Sequence, residues 1–308
     1  MMGFDVVGFG ALNVDKLFRV NRIAGAEEES FIKTHEESCG GSAANALVGL
    51  ARLGCNTGFI GKVAEDREGN LLLNDFRREG VDVKGVIREK LGESGSVMGF
   101  VDKKGERALY IDSGVNDTIA LNEVNSKYVA RAKFLHLTSF VGEKSFQTQK
   151  KLLETLPETV KVSFDPGVLY ARRGLAQLEP IVKRAYVMMP NRGELELITG
   201  YSEYVKGADA LIAKGVKVVA VKLGSEGSYV TNGRERFHVD AFKAKVLDST
   251  GAGDAFCAGF LYGLLNNRGL RECGRLGNFV ASRKVLKMGA RTNLPYAKDL
   301  QLLSKMVK

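Results

Sequence analysis

Ala244-Lys245-Val246-Leu247-Asp248-Ser249-Thr250-Gly251-Ala252-Gly253-Asp254-Ala255-Phe256 is the stretch on which the reading turns. A short strand is expected to end at Leu247. Gly251-Ala252-Gly253 then makes a tight, small turn, and a helix follows with Phe256, Phe260, Leu261 and Leu264 on its apolar side. The first backbone N–H groups of a helix have no partner within it, and the helix dipole adds positive potential there, so such a turn is an anion site. Side chains no larger than Ala let a phosphoryl group approach. Asp254 falls in the first turn, where a carboxylate is expected to stay ionised and to accept a proton from an attacking hydroxyl. The same run also describes an ordinary capped helix with glycines for packing; the surrounding sequence decides between the two.

Working outward, Cys39-Gly40-Gly41-Ser42-Ala43-Ala44-Asn45-Ala46 again places glycines before a helix. Asn45 lies one turn in, where its amide offers a donor and an acceptor to a polar ligand. Short apolar runs alternate with helical patterns along the chain. Asp5–Phe9, Thr57–Ile60, Phe134–Leu137, Lys161–Phe164, Tyr186–Met189 and Lys217–Lys222 read as buried strands. Ser42–Leu53 and Leu71–Glu79 read as helices, each followed by a glycine. Strand–helix alternation predicts a parallel sheet with helices on both faces. Leu17–Glu37 and Gly95–Asp112 break the rhythm. The second reads as a hairpin turning at Asp102-Lys103-Lys104-Gly105. Together they predict a small antiparallel sheet outside the core: a lid, a dimer surface or an edge.

The bulk numbers fit that picture. A chain of 308 residues with 44% hydrophobic and 26% charged residues reads as soluble and globular, in one large α/β domain with a small appendage. The net charge of +9 is scattered, not blocked. That argues against a nucleic-acid-binding tail and leaves open attraction of a polyanion. Four cysteines without CxxC spacing read as free thiols, and three histidines make a His-based metal site a poor expectation. No stretch approaches the roughly 18 apolar residues of a membrane span. A cytoplasmic protein with neither membrane nor nucleic acid as partner is expected.

The two glycine runs resemble the paired signatures of the ribokinase/PfkB carbohydrate kinase family, and other stretches fit in order from about Asp5 to Pro295. The resemblance implies a three-layer αβα ribokinase-like core with a mainly parallel central sheet (1–16, 38–94 and 113–308) and a small β-sheet lid (17–37 and 95–112). It implies an ATP-dependent phosphotransferase for a sugar or sugar derivative, Asp254 being the base and Gly251, Ala252, Gly253 and Asp254 the anion hole. Asn13 and Asp15, in Gly8-Phe9-Gly10-Ala11-Leu12-Asn13-Val14-Asp15, correspond to residues that hold substrate hydroxyls, together with Gly40, Gly41 and Asn45. Asn191-Arg192-Gly193-Glu194 is similar to a motif that orders Mg2+, phosphate and water, though its spacing is also that of a helix cap. Lys222, Gly224, Ser225 and Gly227 match the nucleotide loop, and Asn278 the neighbourhood of the adenine. In relatives that need a monovalent cation, residues like Asp248 and Thr250 help to hold K+, with backbone carbonyls near Gly289.

The acceptor is less determined. Gly-Gly-Ser-Ala-Ala-Asn stands where typical ribokinases have Gly-Gly-Lys-Gly-Ala-Asn, and Asp165-Pro166-Gly167 carries an Asp that many ribokinases lack. A nucleoside kinase is the alternative, with Phe100 and Tyr110 either walls for a base or lid core. Arg172 and Arg173 are candidates to meet an anionic group. A homodimer through the lid is a further expectation. A dinucleotide-dependent oxidoreductase, invited by Gly8-Phe9-Gly10, is rejected. Asn13 replaces its third glycine, and no acidic residue ends a second strand at the required distance.

Overall fold

The computed structural model describes residues 3–305. Among the described residues thirteen strands form in chain order: β1 Phe4–Phe9, β2 Asn13–Val20, β3 Ile32–Gly40, β4 Thr57–Ala64, β5 Asp82–Glu89, β6 Gly95–Val101, β7 Arg107–Asp112, β8 Ala132–Leu137, β9 Lys161–Phe164, β10 Ala185–Met188, β11 Val218–Lys222, β12 Ser228–Thr231 and β13 Arg236–Val239. Nine of them make one sheet in the order β13-β12-β11-β10-β9-β8-β1-β4-β5. Its pairs are parallel except β11–β12 and β12–β13. Successive side chains on a strand point to opposite faces, and the cores divide accordingly. Val7, Leu135 and Met188 join one buried cluster, while Val6, Phe134 and Val187 join the other. Helices cover both. The second cluster contains the helices Ser42–Arg52, Ala252–Leu265 and Leu270–Lys284.

The remaining strands form a second sheet, β3-β2-β6-β7. It departs from the all-antiparallel expectation in its middle pair, because β2 and β6 run parallel. Both strands leave the core in the same direction and lie side by side. This sheet reaches closer to the core than residues 17–37 imply, since β2 begins at Asn13 and β3 ends at Gly40.

Two further differences have local causes. The expected strand before Leu247 does not form. Val246 and Leu247 are each 60% exposed, and Ala241–Thr250 runs as irregular chain. Apolarity there serves a cavity wall, not a sheet. The second helix begins at Arg67, earlier than Leu71, because the Asp66 carboxylate accepts from the Gly69 N–H at 2.6 Å and caps it. β5 and β13 are edge strands with mixed polarity, so they lack the continuous apolar run that marks central strands.

Candidate active site

The Ala252–Leu265 helix starts at Gly251, whose φ of 76° is left-handed. A Cβ there would also fall 2.7 Å from the Ala290 carbonyl oxygen. Glycine is therefore needed for the turn itself, beyond keeping space for a ligand. Alongside runs the Ser42–Arg52 helix. A Cβ at Gly49 would stand 2.9 Å from the Ala258 Cβ, so the two helices touch backbone to small side chain. One turn earlier on each, Asn45 Nδ2 donates to Asp254 Oδ2 at 2.8 Å. The small-residue contact thus sets the distance at which the amide meets the carboxylate.

Asn45 was expected to bind a ligand with its donor and acceptor. In this structure the amide is tied into the protein on both sides, since its Oδ1 accepts from Arg291 Nε at 2.8 Å while one of its two N–H groups goes to Asp254. Arg291 is the site residue that sequence reading missed. It is buried, donates to the Gly40 carbonyl at 3.1 Å and pairs with Asp75. Its signal is weak: a lone arginine after the last long helix, outside any motif.

Asp254 sits at the floor of a pocket of about 280 Å3 lined also by Ser42, Asp165, Asn191, Glu194 and Lys222. It does not keep the ordinary acidity expected of it. Burial pushes its carboxyl up to about 6, with Asn45 opposing and Asp165 adding. Asp15 on β2 is likewise raised to about 6 by burial, with Arg291 opposing and Asp254 adding. Asn13 shares Asp15's face of the lid sheet and accepts from Asn116 Nδ2 at 2.9 Å. Asn116 is buried and also bonds both backbone groups of Leu12. It holds the root of β2, another role with no motif to announce it. Gly40 pairs with Asn13 across the ladder; a Cβ on it would fall 2.2 Å from Asp15 Oδ2.

Lys222, Gly224 and Gly253 line both this pocket and a second cavity of about 500 Å3. The second holds Ser225, Gly227, Phe242, Ala244, Val246, Phe256, Asn278, Ala281 and Val285. Its mainly apolar wall and the adjoining helix N-terminus suit an adenine with phosphates toward the pocket. Asn278 is present but its Nδ2 is spent on the Val239 and Asp240 carbonyls, at 2.8 and 3.1 Å. It builds the wall. Lys222 Nζ bonds Asp165 Oδ2 at 2.8 Å. Burial disfavours its charge, but Asp165, Cys257 and Glu194 raise its pKa overall.

Asn191 and Glu194 form the helix cap that their spacing also describes. Asn191 Oδ1 accepts from Glu194 N, and Glu194 Oε2 from Asn191 N, both at 2.8 Å. Glu194 nevertheless lines the pocket, and burial raises its pKa. Asp165 Oδ1 is buried without a hydrogen-bond partner. These oxygens fit a divalent cation carried mainly by phosphates and water. Among the described residues no cluster of three His, Cys, Asp or Glu could hold a metal ion by itself.

Asp248 and Thr250 do not fit a potassium site. Asp248 Oδ1 accepts from Thr250 N at 3.0 Å and Thr250 Oγ1 at 2.7 Å, and Oδ2 from Gly289 N at 2.9 Å. The Lys284 ammonium donates to the Asp248 carbonyl at 2.9 Å. The carboxylate is thus surrounded by donors. Phe100 and Tyr110 do not wall the acceptor side. Phe100 pairs with Phe18 while Asp15 pairs with Val97, three residues along, and Tyr110 pairs with Met98, so both rings lie on the face opposite Asp15, Phe100 stacked on Phe18 and Tyr110 edge-on to Phe100. Arg173 pairs with Glu143 and packs over Phe146 outside the pocket, and Arg172 is exposed.

A model of the pfkB family of carbohydrate kinases matches residues 4–297. The chain belongs to this family. An uncharacterised sugar kinase of Archaeoglobus fulgidus is 48% identical over 255 residues, covering 82% of this chain and 100% of that one. The ATP-dependent ribose-1-phosphate kinase of Halopiger xanaduensis is 33% identical over 289 residues, 93% of this chain and 94% of its own. The structure of Arabidopsis thaliana ribokinase complexed with ribose and ATP is 25% identical with a TM-score of 0.87, covering 99% of each chain. Membership makes the chain a sugar kinase of the pfkB family with a ribokinase-like fold. Among the described residues, no helix is long and apolar enough to cross a membrane.

Proposed function

We propose that this kinase moves the γ-phosphoryl group of ATP to a hydroxyl of a neutral sugar, with Asp254 as general base. The observation that carries the reading is the junction of the two cavities at Lys222, Gly224 and Gly253, with Asp254 at the floor of the smaller one. The hydroxyl gives its proton to Asp254 as its oxygen bonds phosphorus and the bond to ADP breaks. Charge on the transferring group meets the N–H groups of Gly251–Asp254 and the Lys222 ammonium. Mg2+ bound with the phosphates would neutralise charge there, held through water by Asn191 and Glu194 with Asp165 beside them.

Asn13 and Asp15 would hold the other hydroxyls, with Gly40 and Gly41 behind them. Carboxylates at Asp15 and Asp254 favour an uncharged, hydroxyl-rich acceptor, since a phosphorylated one would meet like charge. The nucleoside alternative lacks the support of Phe100 and Tyr110, whose rings turn away. A sugar phosphate is a second reading on the strength of the Halopiger relative alone. ADP release with ATP and Mg2+ against neutral sugars, sugar acids, sugar phosphates and nucleosides tests this. A neutral sugar should give the highest kcat/KM; preference for a phosphorylated acceptor would overturn it. Exposed Phe31, Leu109 and Ile111 on the lid support the dimer, which sedimentation velocity checks.

A further inference from the structure

A lysine with no exposed surface sits directly beneath the anion-binding turn. Lys284 ends the Leu270–Lys284 helix and is 0% exposed. Its Nζ lies 2.9 Å from the Asp248 carbonyl and 3.6 Å from Asp248 Oδ2. The neighbouring Val285 carbonyl accepts from the N–H groups of Leu247 and Asp248, at 2.9 and 3.3 Å. The helix end therefore grips the start of the Asp248–Gly251 turn by backbone and by charge. Two oxygens of Asp248 beside one positive centre, next to the helix N-terminus to which the proposed function assigns phosphate, are what a bound monovalent cation would organise. Here the centre belongs to the chain.

We propose that Lys284 is a built-in substitute for a monovalent cation, so that its ammonium group orders the Asp248–Gly251 turn and nucleotide binding is independent of K+. The ammonium group and K+ are close in size, and both favour several oxygen partners. A free ion has to be captured from solution and its occupancy follows its concentration. A tethered one is present at fixed stoichiometry; burial lowers the Lys284 pKa, and the Asp248 oxygens oppose that by favouring the ammonium form. A second cation beside it would meet like charge in a buried setting. Lys284 touches neither acceptor nor phosphate in this arrangement and acts as a positioning residue.

Nucleotide affinity, measured by isothermal titration with ADP and Mg2+ at constant ionic strength in choline, sodium and potassium chloride, tests the idea without any acceptor. The wild-type chain should give the same affinity and the same melting temperature in all three salts. Lys284→Met keeps the apolar stem and removes the charge. Its affinity in choline should fall about tenfold, within the range usual for coupling between two sites. Potassium or ammonium should restore it and raise its melting temperature, whereas choline should not. A wild-type chain whose affinity or melting temperature rises several-fold or by several degrees with K+, or that binds thallium(I), would overturn the proposal. So would a folded Lys284→Met that loses affinity equally in every salt. If Lys284→Met does not fold in any salt, the wild-type comparison decides alone.

Discussion

Replacing Asp254 by Asn should separate catalysis from stability. The Asp254 carboxyl titrates at about 6 instead of its ordinary 3.8. At 1.36 kcal/mol per pH unit, holding it ionised in the folded state at pH 8 costs about 3 kcal/mol. Solvent reaches the residue through the pocket, and one N–H of the new amide is left without a partner. A net gain of about 1–2 kcal/mol is therefore expected from Asp254→Asn at pH 8. The sign follows from linkage. Between 3.8 and 6 the folded state binds more protons at this site than the unfolded state, so wild-type stability falls as pH rises through that window and is flat above it. At pH 5 that ionisation cost is about 1.6 kcal/mol, so the net advantage of Asn should shrink by about 1.4 kcal/mol, to near zero. Asp15, similarly raised, is present in both proteins and largely cancels in the difference. Urea unfolding of the two proteins at pH 5 and pH 8 reads the effect, and turnover should fall about 10²–10⁴-fold with ADP affinity retained. Equal stability differences at both pH values, or near-normal turnover, would refute the reasoning.

Other perturbations have defined directions. Asn45→Ala removes the hydrogen bond that lowers the Asp254 pKa, so the acid limb of log kcat/KM should move to higher pH. Arg291→Met leaves buried Asp75 with only the exposed Arg78 as partner and should cost about 2–3 kcal/mol in urea unfolding, with a drop in kcat because Asn45 loses its anchor. Ala281→Phe projects into the 500 Å3 cavity; steady-state kinetics should show a raised KM for ATP and little change in the KM for the sugar.

The fold was legible because its central strands are buried on both faces and therefore carry continuous apolar runs, as at Val218-Val219-Ala220-Val221 in β11. Edges were not: β5 mixes polar and apolar residues without a continuous apolar run, and β13 is only four residues long and half polar. At the site, the glycine turn and helix start of Gly251–Asp254 are local, so a contiguous run carried them. Roles that depend on distant partners were hidden. Asn45 and Arg291 meet across 246 positions, and the spacing of neither predicts that Asn45 serves Asp254. The expected strand at Ala244–Leu247 failed for the opposite reason, since an apolar run can line a ligand cavity as well as a sheet. Phe100 and Tyr110 needed the register of β2 and β6 before their face could be assigned.

The central claim is transfer of a phosphoryl group from ATP to a sugar hydroxyl at Asp254. Phosphorus NMR of a reaction containing ATP, Mg2+ and the best neutral sugar from the acceptor panel tests it directly. The γ-phosphate resonance should be lost in step with the growth of one sugar phosphomonoester, with ADP formed in equal amount and little inorganic phosphate. Release of inorganic phosphate at the same rate with and without the sugar, or ester formation undiminished in Asp254→Asn, would contradict the account.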